Sequence, residues 1–482
     1  MIELNNFIDG TFRAPATGRY LDNVNPATGA VYAKLAASDA SDVNAAVEAA
    51  KRAFPAWSTT PLAERAKMLH RIADGIEARL DEFAATESMD QGKPVSLARA
   101  IDIPRAVWNF RYFADAMQHH TEQATHMDAK ALNYVNRKAV GVAGLISPWN
   151  LPLYLLTWKI APALITGNTC VAKPSEMTSH TAVLLGEVMQ AAGLPDGVCN
   201  LVFGTGVDAG SALVGHPDVP LISFTGGTAT AKHIMGDSAE HFKKLSLELG
   251  GKNAFLVFAD CDLEACLPVA LRAAFTNQGE VCLCGSRIFV ERPIFDEFLR
   301  RFSAMAGELR VGDPKDPQTN MGALVSAAHR DKVQSYIDLA REEGGTIHTG
   351  GKAPELPAEL QNGFFLEPTV VSGLAPDCRV QQEEIFGPVV TITPFDREED
   401  VVAWANGTRY GLSATIWTGD LTRGHRVAHA MDAGIIWVNT WMLRDLRTPF
   451  GGMKASGVGR EGGAHSIDFY TEVQNICIQY GS

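Results

Sequence analysis

The chain has 482 residues, 46% of them apolar and 20% charged, a length that exceeds one hydrophobic core and predicts about two to three domains with an interdomain cleft. Its formal net charge of -13 excludes nucleic acid and anionic membrane as partners, because both need a positive footprint. No apolar run is long enough for a bilayer, Met1 to Asn6 carry no leader pattern, and eight scattered cysteines form neither a disulfide framework nor a zinc motif, so a soluble cytoplasmic protein without metal is expected.

In chain order, N-P-A-T-G at Asn25 to Gly29 reads as a turn after a hairpin-like start, and Leu69, Ile72, Ile76, Leu80 and Phe83 recur at three and four residues, which predicts an amphipathic helix. From Ala139, strand-like runs at Val140 to Ile146, Thr169 to Lys173, Val198 to Phe203 and Leu221 to Thr225 alternate with helical segments. A second series follows at Phe255 to Phe258, Arg287 to Val290, Val389 to Thr393 and Ile435 to Val438. Such alternation predicts an α/β protein with two open parallel-sheet lobes. The stretches Met127 to Lys138 and Phe469 to Tyr480 fit neither series and are expected to form a small β element used for oligomerisation.

Several segments carry chemistry. S-P-W-N-L-P places the Asn150 amide after a strand. Lys173-Pro174-Ser175-Glu176 follows a strand end, where open α/β sheets bind ligands; a carboxylate at Glu176 suits ribose hydroxyls and repels a 2'-phosphate, favouring NAD over NADP. G-T-G-V-D-A-G at Gly204 to Gly210 lacks the G-x-G-x-x-G spacing and reads as an ordinary loop. F-T-G-G-T runs from a strand through Gly226 and Gly227 into a helical stretch, so its amides suit a pyrophosphate. L-E-L-G-G-K holds Glu248. In F-T-N-Q-G-E-V-C-L-C-G-S-R, Cys282 sits among small residues as a thiol nucleophile. A lone free cysteine is more often core packing, but thiol, amide and carboxylate together describe a reaction. Cys284 reads as a packing neighbour that oxidation could join to Cys282.

As a set, S-P-W-N-L-P, A-K-P-S-E, F-T-G-G-T, L-E-L-G-G-K, N-Q-G-E-V-C, E-E-I-F-G-P-V and P-F-G-G-M-K-A-S-G-V-G-R-E resemble the NAD(P)-dependent aldehyde dehydrogenase superfamily over essentially the whole chain. The resemblance implies two Rossmann-like domains: a discontinuous NAD-binding domain over 1–120 and 140–250, a catalytic domain over 251–452, and an oligomerisation arm with a C-terminal segment over 121–139 and 453–482, in a homodimer or homotetramer. It implies Cys282 as nucleophile, Glu248 as general base and Asn150 as oxyanion-holding amide. Lys173 and Glu176 match adenosine-ribose contacts, Glu384 and Phe386 match residues around the nicotinamide, and Trp149 joins Gly226 and Gly227 beside the cofactor. Gly227 departs from a serine common among relatives, leaving phosphate binding there to backbone amides.

Within the superfamily, N-T-W-M-L-R-D-L-R-T-P-F-G-G and S-P-W-N-L-P-L-Y-L-L-T-W-K are most similar to 2-hydroxymuconic and 2-aminomuconic semialdehyde dehydrogenases, which implies a small anionic aldehyde as substrate. An anion calls for a guanidinium, because its two parallel donors match a carboxylate. Arg444 is the first candidate and Arg105 the second, with Arg111 next, while Leu151, Tyr154 and Trp158 are expected to form apolar walls. The ordinary alternative is that Asp445 simply neutralises Arg444 or Arg447, and the substrate-binding reading of Arg444 stands ahead of it. A broad-specificity or betaine aldehyde dehydrogenase is the alternative, which would favour aromatic or acidic channel residues.

Overall fold

The computed structural model describes residues 1–481. Its first large sheet has eight strands in the order Gly457–Val458, Lys244–Glu248, Leu221–Thr225, Val142–Ile146, Thr169–Lys173, Cys199–Leu201, Asn6–Ile8, Thr11–Arg13. The central five run parallel, and the three outer strands pair antiparallel. VAGLI, TCVAK and the first four residues of LISFT are buried on both faces, which is why they read as continuous apolar runs rather than alternating ones.

The second large sheet has seven strands, Thr346–Thr349, Thr369–Ser372, Val389–Phe395, Arg287–Glu291, Ala254–Val257, Ser413–Trp417 and Ile435–Val438 in that order, and only Thr346–Thr349 pairs antiparallel. Two open parallel sheets with helical crossovers bear out the α/β reading. Strands Lys244–Glu248, Thr369–Ser372 and Ser413–Trp417 lie outside both predicted series. Lys244–Glu248 alternates polar and apolar residues but is short, carries three polar side chains and ends in a buried carboxylate, and Ser413–Trp417 mixes hydroxyls with apolar residues on a strand buried along its whole length.

Local expectations are met at the Asn25 turn and the small sheet and differ at the periodic run and after residue 452. The Asn25 turn closes a hairpin, with the Gly29 N–H donating to the Asn25 carbonyl at 2.8 Å. The periodic run from Leu69 to Phe83 is two helices, Leu62–Ala78 and Leu80–Gln91, broken where Arg79 leaves helical geometry at φ -112°, ψ 25° and pairs with Glu82 and Glu187. Thr471–Gln479, Ala131–Ala139 and Ala124–Met127 form a separate three-stranded antiparallel sheet with nine-residue register between the first two. The segment after residue 452 divides: Gly457–Val458 completes the edge of the eight-stranded sheet beside Lys244–Glu248, and only the last strand joins the small sheet. No helix among the described residues is long and apolar enough to cross a membrane.

Candidate active site

In the first sheet, the chain winds from Val142–Ile146 outward to Thr169–Lys173 on one side, then returns to lay Leu221–Thr225 on the other. The strand order reverses at that point, and ligands of open α/β sheets bind in the crevice beyond the carboxyl ends there. Those ends run into Ser147 to Asn150 and into Gly226 and Gly227.

Two cavities meet along this line and share Pro148, Trp149, Thr225, Gly226 and Gly227. One, of about 280 Å³, reaches Asn150, Glu248, Cys282, Glu384 and Phe386. The other, of about 290 Å³, reaches Lys173, Glu176, Gly206 and Gly210, so the G-T-G-V-D-A-G segment, read above as an ordinary loop, lines the groove. Lys173 Nζ and the Glu176 carboxylate pair at 3.0 Å. The Gly226 N–H donates to the Glu248 carbonyl at 3.0 Å. Gly227 precedes helix Thr228–Ser238 with no side-chain cap, and a Cβ there would meet nothing within 4 Å, so the groove passes close over open backbone at a positive helix end. An elongated groove with a carboxylate at one end, bare amides at its middle and a thiol at the other fits a dinucleotide.

Cys282 follows a tight segment in which Asn277 and Gln278 both take left-handed backbone (φ 53° and 57°), a conformation that costs of order 1–3 kcal/mol per residue unless its surroundings hold it. The surroundings are polar clamps. Asn253 Nδ2 donates to the carbonyls of Cys282 (2.7 Å) and Cys284 (2.9 Å). Asn277 Nδ2 donates to the Asn150 carbonyl (3.1 Å), and Asn150 Nδ2 donates to the Glu280 carbonyl (2.8 Å), which leaves one amide hydrogen of Asn150 for a ligand. The buried Lys93 ammonium, paired with Asp102, also donates to the Asn150 carbonyl at 3.1 Å. Asn253, Asn277, Glu280 and Lys93 were not singled out by sequence; Asn277 and Glu280 lie inside a quoted motif, Asn253 directly follows L-E-L-G-G-K, and Lys93 gave no local signal.

Burial first, then the Glu248 and Glu384 carboxylates, push the Cys282 thiol up to about 12, against the lowering pull of Arg444 and of its own backbone N–H. Cys284 is buried and likewise pushed up to about 12 by desolvation, consistent with packing. Glu248 is 3% exposed, and neither of its oxygens has a hydrogen-bond partner among the described residues. Burial chiefly, with the charge of Glu461, holds its carboxyl well above the usual range, while Lys159, Arg460 and Arg444 oppose that shift. Glu461 is itself bound by Lys159 Nζ (2.9 Å), Trp158 Nε1 (2.7 Å) and Ser223 Oγ (3.1 Å). Glu384 accepts the Gly251 N–H at 2.9 Å. Phe386, at φ 63°, packs edge-on against Trp149, and His329 donates to its carbonyl at 2.7 Å; His329 and Lys332 line the thiol cavity and were missed.

Of the substrate candidates, Leu151 stands ahead of helix Pro152–Ile165 rather than on it, and Leu155 lines the thiol cavity instead. Tyr154 and Trp158 are not plain apolar walls. The Tyr154 hydroxyl accepts from Arg444 at 3.2 Å, and the Arg105 guanidinium lies 4.9 Å from the Tyr154 ring and 5.4 Å from the Trp158 ring. Arg444 also sits 4.0 Å over the Phe450 ring. Neither Arg105 nor Arg444 has an acidic partner among the described residues; Asp445 pairs with Arg447. Arg111 belongs elsewhere, held on the outer side of its helix by Asp74 and Glu77.

A model of the "Aldehyde dehydrogenase family" matches residues 12–476. A "2-aminomuconic semialdehyde dehydrogenase" of Danio rerio is 55% identical over 480 residues, covering 99% of this chain and 98% of the relative, and a "2-hydroxymuconic semialdehyde dehydrogenase" of Pseudomonas sp. (strain CF600) is 53% identical over 485 residues, covering 99% and 100%. Among solved structures, the NAD+ complex of an aldehyde dehydrogenase from Bacillus cereus superposes with a TM-score of 0.97 at 39% identity, over 99% of this chain and 97% of that one.

Proposed function

Because the chain belongs to the aldehyde dehydrogenase family, we propose that it oxidises an unsaturated six-carbon semialdehyde bearing a carboxylate, of the 2-hydroxymuconic or 2-aminomuconic kind, to the dicarboxylic acid, with NAD as acceptor. The observation that carries the substrate class is the pair Arg105 and Arg444: both lean on Tyr154 and lack an acid partner, and the charge of Arg444 reaches Cys282, Glu248 and Arg105. Two cations with no counter-ion attract a carboxylate and repel a betaine aldehyde.

Lys173 and Glu176 would hold the adenosine ribose, the amides from Gly227 onward the pyrophosphate, and Trp149, Glu384 and Phe386 the nicotinamide half. The NAD+ complex of a relative supports NAD as the cofactor, and the relatives' names support the substrate class. NAD held by these residues would supply the hydride acceptor for the hemithioacetal carbon on Cys282.

The chain's own residues do the rest. Cys282, once ionised, adds to the aldehyde carbon, and the free Asn150 amide hydrogen and the Cys282 N–H stabilise the oxyanion that develops. The resulting thioester is cleaved by water, whose proton Glu248 takes in its ionised form. Division into the 1–120 and 140–250, 251–452, and 121–139 and 453–482 units, amended in that Gly457–Val458 belongs with the first sheet, and with the small sheet serving assembly into a homodimer or homotetramer, completes the proposal.

Loss of an oxyanion donor should lower turnover on the order of 100-fold, so Asn150→Ala is expected to depress kcat far more than it raises KM. Steady-state rates that show an unchanged kcat would remove Asn150 from this role. Arg444→Ala should raise KM for a carboxylate-bearing aldehyde roughly ten-fold or more, the scale of one charged hydrogen bond, with little change for a neutral aldehyde of equal length. Equal effects on the two would refute the anionic substrate class.

A further inference from the structure

We propose that Asn109 is a positioning residue for substrate charge selection, fixing Arg105 so that one edge of its guanidinium stays free for a substrate carboxylate. The inference rests on the reading of Arg105 given above, which assigns no role to Asn109.

Asn109 lies one turn beyond Arg105 on helix Ile103–Gln118 and is completely buried. Its amide has a settled orientation. Nδ2 donates both hydrogens, to the Tyr154 carbonyl at 3.0 Å and to Thr157 Oγ1 at 3.1 Å, so Oδ1 must face the other way, where it accepts from Arg105 Nε at 3.1 Å. Turning the amide over would aim N–H groups at a guanidinium and set Oδ1 against the Tyr154 carbonyl, so the arrangement is locked.

With Nε held and the plane resting on the Tyr154 and Trp158 rings, the guanidinium cannot swing. Its Nη2 is buried and has no partner among the described residues. A buried donor is costly to leave unpaired, so a fixed, unpaired one beside a second unpaired arginine marks the place of a missing acceptor. Burial with no carboxylate nearby also lowers the Arg105 pKa to about 10, with Arg444 adding to the fall.

The choice of an amide rather than an acid matters. Asparagine supplies the acceptor that orients Arg105 and leaves its charge intact, whereas an aspartate of the same shape would pair with the guanidinium and cancel the attraction for a ligand. Tyr154 joins the two arginines, since its ring supports Arg105, its hydroxyl accepts from Arg444 and its backbone carbonyl anchors Asn109.

The test uses the full-length enzyme with NAD and two six-carbon probes, 6-oxohexanoate and hexanal. The readout is the ratio of their kcat/KM values, in which general damage cancels. Asn109→Asp is expected to lower that ratio at least about ten-fold, mainly through KM for 6-oxohexanoate, as one charge-assisted hydrogen bond is lost. Asn109→Ser, which removes the acceptor without adding charge, should lower it in the same direction and decides the matter if the aspartate variant does not fold. Arg105→Ala is run beside them. If Arg105→Ala collapses the ratio while both Asn109 variants keep it, the inference is overturned and the proposed substrate class stands. If the wild type shows no preference for 6-oxohexanoate and Arg105→Ala changes nothing, the substrate class fails and takes the inference with it.

Discussion

Replacing Cys282 by alanine is expected to reduce NADH formation by roughly 10⁴-fold or more, the scale on which enzymes lose rate when a covalent nucleophile is removed. Nothing else in the thiol cavity can substitute. Cys284 is sealed in the core beneath it and faces burial that raises its own thiol to about 12, and no other cysteine lines that cavity. The same burial predicts how the native thiol titrates. With Cys282 pushed up to about 12 in the free enzyme, only a small fraction is thiolate at neutral pH, and the rate of alkylation by iodoacetamide should climb about ten-fold per unit between pH 7 and 10. Peptide mapping after partial alkylation checks the site, and a pH-independent rate would contradict the burial argument. Residual turnover above one-hundredth of wild type in Cys282→Ala would place the nucleophile elsewhere.

Glu248→Gln is expected to separate the two halves of the reaction. Acylation of Cys282 needs no base at Glu248, so a first equivalent of NADH should still appear as a burst, while steady turnover falls by about 10² to 10⁴, the usual contribution of a general base. The thioester would then accumulate, visible as a mass increment on the peptide that carries Cys282. The pH profile gives an independent reading. Burial and Glu461 hold the Glu248 carboxyl well above the ordinary carboxylate range, so the proton stays on at low pH and the base form grows as pH rises. Wild-type deacylation should therefore increase with pH through an apparent pKa above 4.5, the unshifted value, and the glutamine variant should lack that limb. A variant with an undiminished steady rate, or one with neither burst nor turnover, would refute the assignment of Glu248 to thioester hydrolysis.

Much of the site could be read from residues one at a time because its parts lie in short contiguous motifs. Asn150, Glu248, Cys282 and Glu384 each stand in a segment whose glycines and prolines mark a turn, and all four line one cavity. What escaped was anything whose role depends on a distant partner. Tyr154 and Trp158 have the composition of a wall, and only three-dimensional neighbours show that one meets Arg444 at its hydroxyl and the other donates to Glu461. Arg105 and Arg111 are six positions apart in sequence and both cationic, yet Asp74 and Glu77 on a neighbouring helix claim the second and leave the first free. The G-T-G loop was discounted for its spacing and still lines the groove, since fold topology rather than a glycine fingerprint brings it there.

By itself, the sequence determined the α/β class, because side-chain periodicity and turn residues are local and follow from backbone geometry. It also determined the chemical inventory, a thiol, an amide, a carboxylate and several arginines, since those are properties of residue types. Tertiary structure alone decided which strands flank the reversal of order where the groove opens, which arginine is neutralised, and how far the thiol and carboxylate are shifted. Those outcomes depend on desolvation and on charges contributed by residues hundreds of positions apart, such as Glu461 acting on Glu248, and no local pattern encodes a distance between segments that meet only after folding.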